Sequence, residues 1–388
     1  MAQETLTTQA ASERSYHDNR MTVADFDQAP FTIAWEITRA CAYACVHCRA
    51  DAIPQRHPDE LTTEEGFQLI DRLAEFGSQI LIFTGGDPMM RRDLNQLVAH
   101  AHAKGLRCSL TPTATALPTL ERLIEAREAG IRRVALSLDA PRPEIHDKFR
   151  MVEGSWQRTM DTLHRAKEAG IAVQVNTTVT TFNVDILDEM VQFIEEVGAV
   201  QWSVFFMVPT GRAQAQYMIS PEQHEEVFNW LYDLSKIAPF DIKGTAAPMY
   251  RRVAIERKRA EAAEAGNEVT FQGAGFQYAD GLHRPRKGVN DGNGFLFISH
   301  IGEIQPSGFL PVTAGMVREN DVVDVYRNHP IFTSLRNPDE FKGKCGVCEY
   351  RDLCGGQRGR AYGLTGDYLE TDPACAYDPP AWLEKIKN

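Results

Sequence analysis

Three cysteines lie close together near the start of the chain, at Cys41, Cys45 and Cys48. Their C-x3-C-x2-C spacing differs from the C-x2-C pairs of zinc ribbons. Thiolates are soft ligands that suit iron–sulfur clusters or zinc. Because a cubane cluster holds four irons, three local thiolates leave one iron open, and an open metal position is where catalysis occurs. The spacing therefore indicates a catalytic cluster; a zinc site completed by a distant residue, or three reduced structural thiols, are the alternatives.

A second set of cysteines lies near the other end of the chain and has the spacing C-x2-C-x5-C-x20-C. Its members are Cys345, Cys348, Cys354 and Cys375. Four thiolates can fill every protein-ligand position of a 4Fe-4S cluster or of tetrahedral zinc, so spacing alone leaves both possible. Clustering of cysteines in two groups indicates metal binding in a reducing cytoplasm rather than disulfides. The eighth cysteine, Cys108, is expected to be buried in a strand.

Composition narrows the class of protein. The chain has 388 residues and a net charge of -12, which argues against a general nucleic-acid binder but allows a local basic patch for an anionic substrate. The first residues lack the pattern of a signal peptide, and no apolar run approaches the ~20 residues of a membrane span. We therefore expect a cytoplasmic enzyme with no membrane or nucleic-acid partner.

The elements that must position these cysteines alternate regularly. Apolar runs predict six strands, at residues 31–37, 79–83, 107–111, 131–138, 171–179 and 200–207. Amphipathic helices with polar caps and terminal glycines separate the strands. Six strand–helix units predict a parallel sheet and fall short of the eight of a TIM barrel, so a partial (β/α)6 barrel fits. In such barrels reactive groups gather at the carboxyl ends of the strands.

Polar and glycine residues do follow the predicted strands. Thr84-Gly-Gly-Asp-Pro88 follows the second strand, and its two glycines would let the backbone approach a ligand. Ser137 and Asp139 end the fourth strand, with Arg150 further on. Asn176 and Thr178 alternate on the fifth strand and so share a face, which we expect to be the barrel interior. An ordinary turn, strand-end capping and a surface ion pair are the structural alternatives for these positions.

Taken together, the cysteine spacing, its place after a first strand and the strand–helix repeat resemble the radical S-adenosylmethionine (SAM) superfamily over most of residues 30 to 380. The resemblance implies a SAM-binding 4Fe-4S cluster on the three cysteines, a 5'-deoxyadenosyl radical that abstracts hydrogen, and a reductant such as flavodoxin or ferredoxin. It also implies that Gly85 to Pro88 contact SAM, although Asp87 stands where glutamate is commoner. The implied SAM contacts are Gly85, Gly86, Asp87, Pro88, Ser137, Asp139, Arg150, Asn176, Thr178 and Val208.

The second cysteine set resembles the SPASM/twitch extension of that superfamily, which holds auxiliary clusters. Full SPASM domains need further cysteines, and here Ser307 and Arg358 stand at two of those positions. We therefore expect one auxiliary 4Fe-4S cluster with four cysteine ligands. The expected organisation is a flexible leader at 1–28, the partial barrel at 29–238, a connector at 239–298 and a small C-terminal SPASM/twitch domain at 299–388.

The resemblance is nearest to the haem-biosynthesis branch, the iron-coproporphyrin decarboxylase and haem d types, through residues 290–295, 315–319 and 354–362. It implies oxidative decarboxylation of porphyrin propionates. Candidate arginines for binding those propionates are Arg251, Arg252, Arg284 and Arg286. One alternative is a peptide-modifying radical SAM/SPASM enzyme, although the short leader argues against it. Another is a non-enzymatic zinc or iron–sulfur protein.

Overall fold

A ten-stranded, mostly parallel sheet organises the chain, and the computed structural model describes residues 25–266 and 288–387. The strands are β1 Thr32–Thr38, β2 Ile80–Gly85, β3 Arg107–Leu110, β4 Ile131–Ser137, β5 Ala172–Val179, β6 Gln201–Phe206, β7 Asp241–Thr245, β8 Phe295–Ile298, β9 Glu303–Gln305 and β10 Gly315–Met316. Their order in the sheet is β10-β9-β8-β1-β2-β3-β4-β5-β6-β7. The strands from β8 through β7 pair in parallel, while β9 and β10 add antiparallel at one edge.

Helices connect the parallel strands and extend into the C-terminal part. They are α1 Thr63–Ala74, α2 Leu94–Ala103, α3 Leu120–Ala129, α4 Pro143–Arg150, α5 Ser155–Glu168, α6 Leu187–Glu196, α7 Pro221–Leu234, α8 Met249–Glu264, α9 Val322–Asn328, α10 Pro330–Arg336, α11 Gly343–Val347, α12 Arg358–Thr365 and α13 Pro380–Lys387. No helix within the described ranges combines the length and apolar character needed to cross a bilayer.

The predicted α/β class is confirmed, and the six predicted strands lie within one or two residues of β1 to β6. Local chemistry explains why. Thr62 and Glu65 form a capping box at the start of α1, and Ser220 with Gln223 forms another at α7. Helix α4 was not predicted, because it is only eight residues long and mostly polar.

The segment expected to be a connector contributes to the sheet. Strand β7 pairs in parallel with β6, and β8 pairs in parallel with β1, so the sheet is longer at both edges than six strands. The residues of β7, Asp241-Ile-Lys-Gly-Thr245, carry little β-propensity, so the strand depends on pairing with its neighbour. The sheet order still runs from β10 to β7 without closing into a ring.

The two faces of the sheet have opposite character. Apolar residues such as Ile33, Leu81 and Val204 are fully buried in the main core. On the other face, strand register places Ser137, Asn176, Ser203 and Lys243 side by side across β4 to β7. In a closed TIM barrel this interior is packed with branched apolar side chains; here polar side chains surround a cavity.

Candidate active site

The loop after β1 carries the first cysteine set against a cavity of about 1410 Å³. Cys41 and Cys45 are buried and Cys48 is partly exposed, and all three line the cavity. Arg212 fixes the loop by donating to the carbonyl oxygens of Cys45 (3.1 Å) and Ala52 (3.0 Å). The loop is therefore held at both ends while its thiols stay accessible from the cavity.

The thiols of this set have few polar neighbours. The Tyr43 N–H donates to Cys41 Sγ at 3.4 Å, and Thr113 Oγ1 lies 3.5 Å from the same sulfur. Burial raises the pKa values of the Cys41 and Cys45 thiols. Metal binding needs thiolates and would release these protons. Three soft donors on one loop, facing a cavity, suit a cluster that keeps one iron open.

The two predicted glycines after β2 face the cavity. A Cβ on Gly85 would lie 2.4 Å from the Thr38 carbonyl oxygen, and one on Gly86 would lie 2.4 Å from that of Ala40. Both therefore let β2 pack directly against the start of the cysteine loop. They line the cavity beside the three cysteines, where backbone contact with a ligand is possible.

Asp87 and Pro88 are placed differently from the glycines: both are buried, and neither lines the cavity. The Asp87 carboxylate accepts from the Met89 N–H (3.1 Å) and from Thr115 Oγ1 (3.1 Å). Burial raises the pKa of Asp87 to about 6. In this structure Asp87 therefore fixes the turn behind the glycines.

The predicted residues on β4 and β5 come together at the cavity. Ser137, Asn176 and Thr178 line it, as do Arg150 and Val208. Asp139 lies behind this wall, 2% exposed, and accepts from the Thr178 N–H at 2.9 Å and from the Arg150 guanidinium. Burial opposes ionisation of Asp139, but the Arg150 charge, two nearby histidines and the hydrogen bond from the Thr178 N–H together outweigh it and lower the pKa of Asp139. Asp139 thus orients two residues that face the cavity.

The cavity wall is strongly basic. Among the described residues it contains one acidic side chain, Asp291, and seven basic ones: Arg49, Arg107, Arg132, Arg133, Arg150, Lys243 and Arg251. Arg49 and Arg150 are paired with acids, Glu36 and Asp139. The whole chain carries a charge of -12, so the wall has the opposite sign from the protein around it. An anionic ligand is therefore favoured in this cavity.

Most of these basic residues were missed in the sequence. Arg107, Arg133 and Lys243 lie on strands. Arg107 and Lys243 are each two residues before another polar residue that lines the cavity, Ser109 or Thr245, and Arg133 is four residues before Ser137 on the same strand. This alternation of polar residues in buried parallel strands is the signal that could have found them. Lys243 was also missed because β7 was not predicted.

The four candidate propionate-binding arginines separate into three cases. Arg251 lines the cavity and donates to the carbonyl oxygens of Leu353 (3.3 Å) and Val289. Arg252 points elsewhere: it forms ion pairs with Glu225 and Glu256 and does not line the cavity. Arg284 and Arg286 lie outside the described residues.

The second cysteine set is assembled from the loop around α11 and from Cys375. The Tyr350 N–H donates to Cys348 Sγ and the Gly356 N–H to Cys354 Sγ, both at 3.4 Å. Burial raises the pKa of Cys348 to about 11 and that of Cys375 to about 12. The four thiols are a soft donor set that suits a fully ligated 4Fe-4S cluster. Across both described ranges, no three Cys, His, Asp or Glu side chains lie close enough to bind a single metal ion.

The two positions that depart from a full SPASM domain are occupied by hydrogen-bonding residues. Ser307 is buried and interacts with Asp291, whose pKa is raised by burial. Arg358 is fully buried and donates to Cys345 Sγ at 3.3 Å. Neither side chain can replace a thiolate, so each stabilises its surroundings as a polar group.

The cavity extends from the first cysteine set to residues that contact the loop of the second set, although none of the four thiols of the second set lines it. Asn290 and Gln357 line it together with Cys41 and Cys45. Asn290 also donates through Nδ2 to the carbonyl oxygens of Cys354 (3.4 Å) and Gly356 (2.7 Å). One side chain therefore separates the cavity from the loop that carries Cys354.

Comparison with known proteins gives three kinds of match. The family model for the radical SAM superfamily matches residues 35–197. The AdoMet-dependent heme synthase of Oleidesulfovibrio alaskensis is 42% identical to the chain, over 92% of this chain and 90% of that relative. The AdoMet-dependent heme synthase of Methanosarcina barkeri is 38% identical, over 90% of this chain and 97% of that relative. The solved structure of Streptococcus suis SuiB bound to precursor peptide SuiA has a TM-score of 0.66, covers 95% of this chain and 80% of that one, and is 15% identical.

Proposed function

The chain belongs to the radical SAM superfamily of enzymes, and on this basis we propose that it decarboxylates propionate side chains of a porphyrin oxidatively. The observation that carries the proposal is the basic wall of the cavity that the first cysteine set lines. Propionates are anionic at neutral pH, and arginine and lysine side chains match them by charge-assisted hydrogen bonds. A radical enzyme with such a cavity suits a substrate that bears several carboxylates.

The relatives favour a porphyrin over a peptide. Two of them, aligned over nine-tenths of both chains, are named heme synthases. The likeness to the peptide-bound SuiB structure is a likeness of fold alone. The substrate class therefore follows the heme synthases, and a peptide substrate becomes an outcome of the test below.

The first cysteine set would hold the cluster that binds SAM. When bound, a 4Fe-4S cluster with an open iron supplies the electron that cleaves SAM to methionine and a 5'-deoxyadenosyl radical. Gly85 and Gly86 would bring backbone groups to the methionine end of SAM. The loop would exclude water by burying Cys41 and Cys45.

The remaining cavity residues would bind the rest of SAM. Ser137, Asn176 and Thr178 offer hydroxyl and amide groups to its ribose, and Val208 offers backbone groups and an apolar surface to its adenine. Arg150 would pair with the carboxylate of SAM, while Asp139 holds its guanidinium in place. Asp87 and Pro88 would act from behind, by fixing the turn that carries the glycines.

Substrate carboxylates would bind to the basic wall. The candidates are Arg251, which was predicted from the sequence, and Lys243, which was not. Loss of a hydrogen atom leaves a radical on the propionate β-carbon, which is bonded directly to the porphyrin ring. That radical then loses CO2 and one electron, and the remaining two carbons form a vinyl group. The second cysteine set, held against the cavity by Asn290, would carry the one-electron acceptor.

The test is an anaerobic incubation of the reconstituted protein with SAM, dithionite and iron-coproporphyrin III. Mass spectrometry should find porphyrin that has lost CO2 and two hydrogens, in step with 5'-deoxyadenosine. The Cys45→Ala variant should form neither product. A flavodoxin or ferredoxin should replace dithionite, in keeping with a cytoplasmic enzyme.

Two other outcomes would change the proposal. Deoxyadenosine with unchanged porphyrin would keep the radical enzyme but contradict the substrate, and would direct the search to peptides. Protein that takes up zinc alone, and no iron or sulfide under anaerobic conditions, would contradict the radical chemistry itself.

A further inference from the structure

Arg358 is a buried cation aimed at one thiol of the second cysteine set. Its side chain is completely buried, and its Nη2 donates to Cys345 Sγ at 3.3 Å. Its Nη1 donates to the carbonyl oxygens of Tyr368 (3.1 Å) and Glu370 (2.8 Å), which fixes the direction of the planar guanidinium. The guanidinium also packs over the Phe341 ring, with its carbon 4.8 Å from the ring centroid. The geometry is thus determined from several sides.

The charge of Arg358 is not cancelled by an ion pair. Its hydrogen-bond acceptors are carbonyl oxygens and sulfur, and within the described ranges it forms no salt bridge with a carboxylate. The sulfurs of Cys348 and Cys354 accept hydrogen bonds from backbone N–H groups, those of Tyr350 and Gly356. Cys345 therefore receives a charged donor where its neighbours receive neutral ones.

The first cysteine set has a different environment. Arg150 is the nearest charged donor there, and its Nη1 lies 3.8 Å from Cys45 Sγ. Its guanidinium is paired with the buried Asp139, which offsets its charge. The charged donor at the first set is therefore offset by a carboxylate, whereas the one at the second set forms no ion pair within the described ranges.

We propose that Arg358 raises the reduction potential of an iron–sulfur cluster on Cys345, Cys348, Cys354 and Cys375, and so makes that site the electron acceptor of the reaction. A reduced cluster carries one more negative charge than an oxidised one, so a fixed buried cation beside its sulfur stabilises the reduced state. Arg358 is a positioning residue in this sense, because it touches neither substrate nor SAM.

The direction of electron flow follows, and this part rests on the proposed function. The substrate radical R–CH•–CH2–COO⁻ gives R–CH=CH2, CO2 and one electron. A cluster held by Cys345, Cys348, Cys354 and Cys375 would accept that electron, and the Arg358 guanidinium would favour its reduced state. At the first cysteine set the charge of Arg150 is offset by Asp139, so the reduced state of a cluster there would be favoured less.

The experiment is EPR-monitored redox titration of the reconstituted full chain, with SAM added to distinguish the signal of the first cluster. In the Arg358→Gln variant we expect the oxidised-to-reduced ratio of the second cluster at a fixed potential to rise about tenfold, which is a downward shift of about 59 mV for a one-electron couple. Arg358→Lys, which keeps the charge, should shift it less. The matched control is Arg351→Gln, on the same loop, whose side chain donates to Gly346 O and Asp339 but to no thiol.

Several outcomes would overturn the inference. One is an unchanged or raised potential in Arg358→Gln with full iron content, and another is wild-type protein that assembles iron for one cluster only. If Arg358→Gln fails to assemble its cluster, wild-type protein grown with guanidinium-¹⁵N-arginine decides. The reduced second cluster must then show a hyperfine-coupled ¹⁵N nucleus, and its absence refutes the contact. The titration contains no porphyrin, so a failed porphyrin assay would contradict the proposed function and leave this result standing.

Discussion

Arg360 and Asp372 form a bidentate ion pair that is completely buried. Nε lies 2.9 Å from Oδ1, and Nη2 lies 2.9 Å from Oδ2. The same guanidinium donates to the carbonyl oxygens of Met207 (3.2 Å) and Ala246 (3.3 Å), which follow β6 and β7. Asp372 also accepts from the Gln357 N–H at 2.9 Å. The pair therefore joins the segment before Cys375 to the cavity wall of the barrel.

The first prediction concerns removal of this cation. Arg360→Met should lower the free energy of unfolding by about 3–5 kcal/mol, because it leaves the Asp372 carboxylate buried without a partner. Urea denaturation monitored by fluorescence measures the change. The control is Lys342→Met, which removes an exposed partner of Asp367 and should change the free energy of unfolding far less. Equal losses in the two variants would contradict a structural role for the buried pair.

A pH dependence follows from the same pair. Burial opposes ionisation of Asp372, but its ion pair with Arg360 and the hydrogen bonds from the Gln357 and Ala374 N–H groups together outweigh it and lower the pKa of Asp372 to about 2, from a usual 3.8. As pH falls, the unfolded chain takes up this proton before the folded chain does. The contribution of Asp372 to the free energy of unfolding is therefore present above about pH 4 and is lost towards pH 2. It amounts to about 2 kcal/mol. The difference in unfolding free energy between wild type and Asp372→Asn should therefore shrink over that range. An unchanged difference across that range would refute the prediction.

The third prediction concerns the close approach at Gly86. In Gly86→Ala, the new Cβ would lie 2.4 Å from the Ala40 carbonyl oxygen and 2.6 Å from that of Arg39, so the cysteine loop must move. We expect a loss of about 1–3 kcal/mol in stability together with reduced iron and SAM binding. Iron analysis and equilibrium dialysis with labelled SAM measure both.

A second glycine serves as the control for that change. Gly266 has a positive φ of 67°, and no atom of the described residues lies within contact of an added Cβ. Gly266→Ala should cost about 1–2 kcal/mol through backbone strain alone and leave iron and SAM binding unchanged. Normal iron and SAM binding in Gly86→Ala would show that the close approach does not position the loop.

The fourth prediction tests the basic cavity wall. Lys243→Met should weaken binding of iron-coproporphyrin III about tenfold to a hundredfold, because a charged hydrogen bond contributes about 1.5–3 kcal/mol. Absorbance titration measures the dissociation constant. Lys236→Met, which removes an outer ion pair with Glu261, should leave it unchanged. The uncharged tetramethyl ester of the porphyrin should bind wild type and Lys243→Met equally; a similar loss with the ester would contradict carboxylate recognition.

Much of the barrel could be predicted from local patterns. Capping boxes at Thr62 and Ser220 and glycines at helix ends are local chemistry, so β1 to β6 and the helices between them could be placed closely. Strand β8 could not, because its partner β1 lies more than 250 residues away in the chain. Pairing at such a distance depends on the whole sheet rather than on the segment's own residues.

The sequence by itself determined the chemistry available to this protein: two cysteine sets whose spacing allows one open and one closed cluster, carried on strand–helix units. Only the tertiary structure decided where individual side chains point. It placed Asp87 and Asp139 behind the cavity, brought Lys243 into it and turned Arg358 towards Cys345. The reason is physical: spacing fixes which ligands a loop can offer, whereas orientation depends on burial and on contacts between residues far apart in the chain.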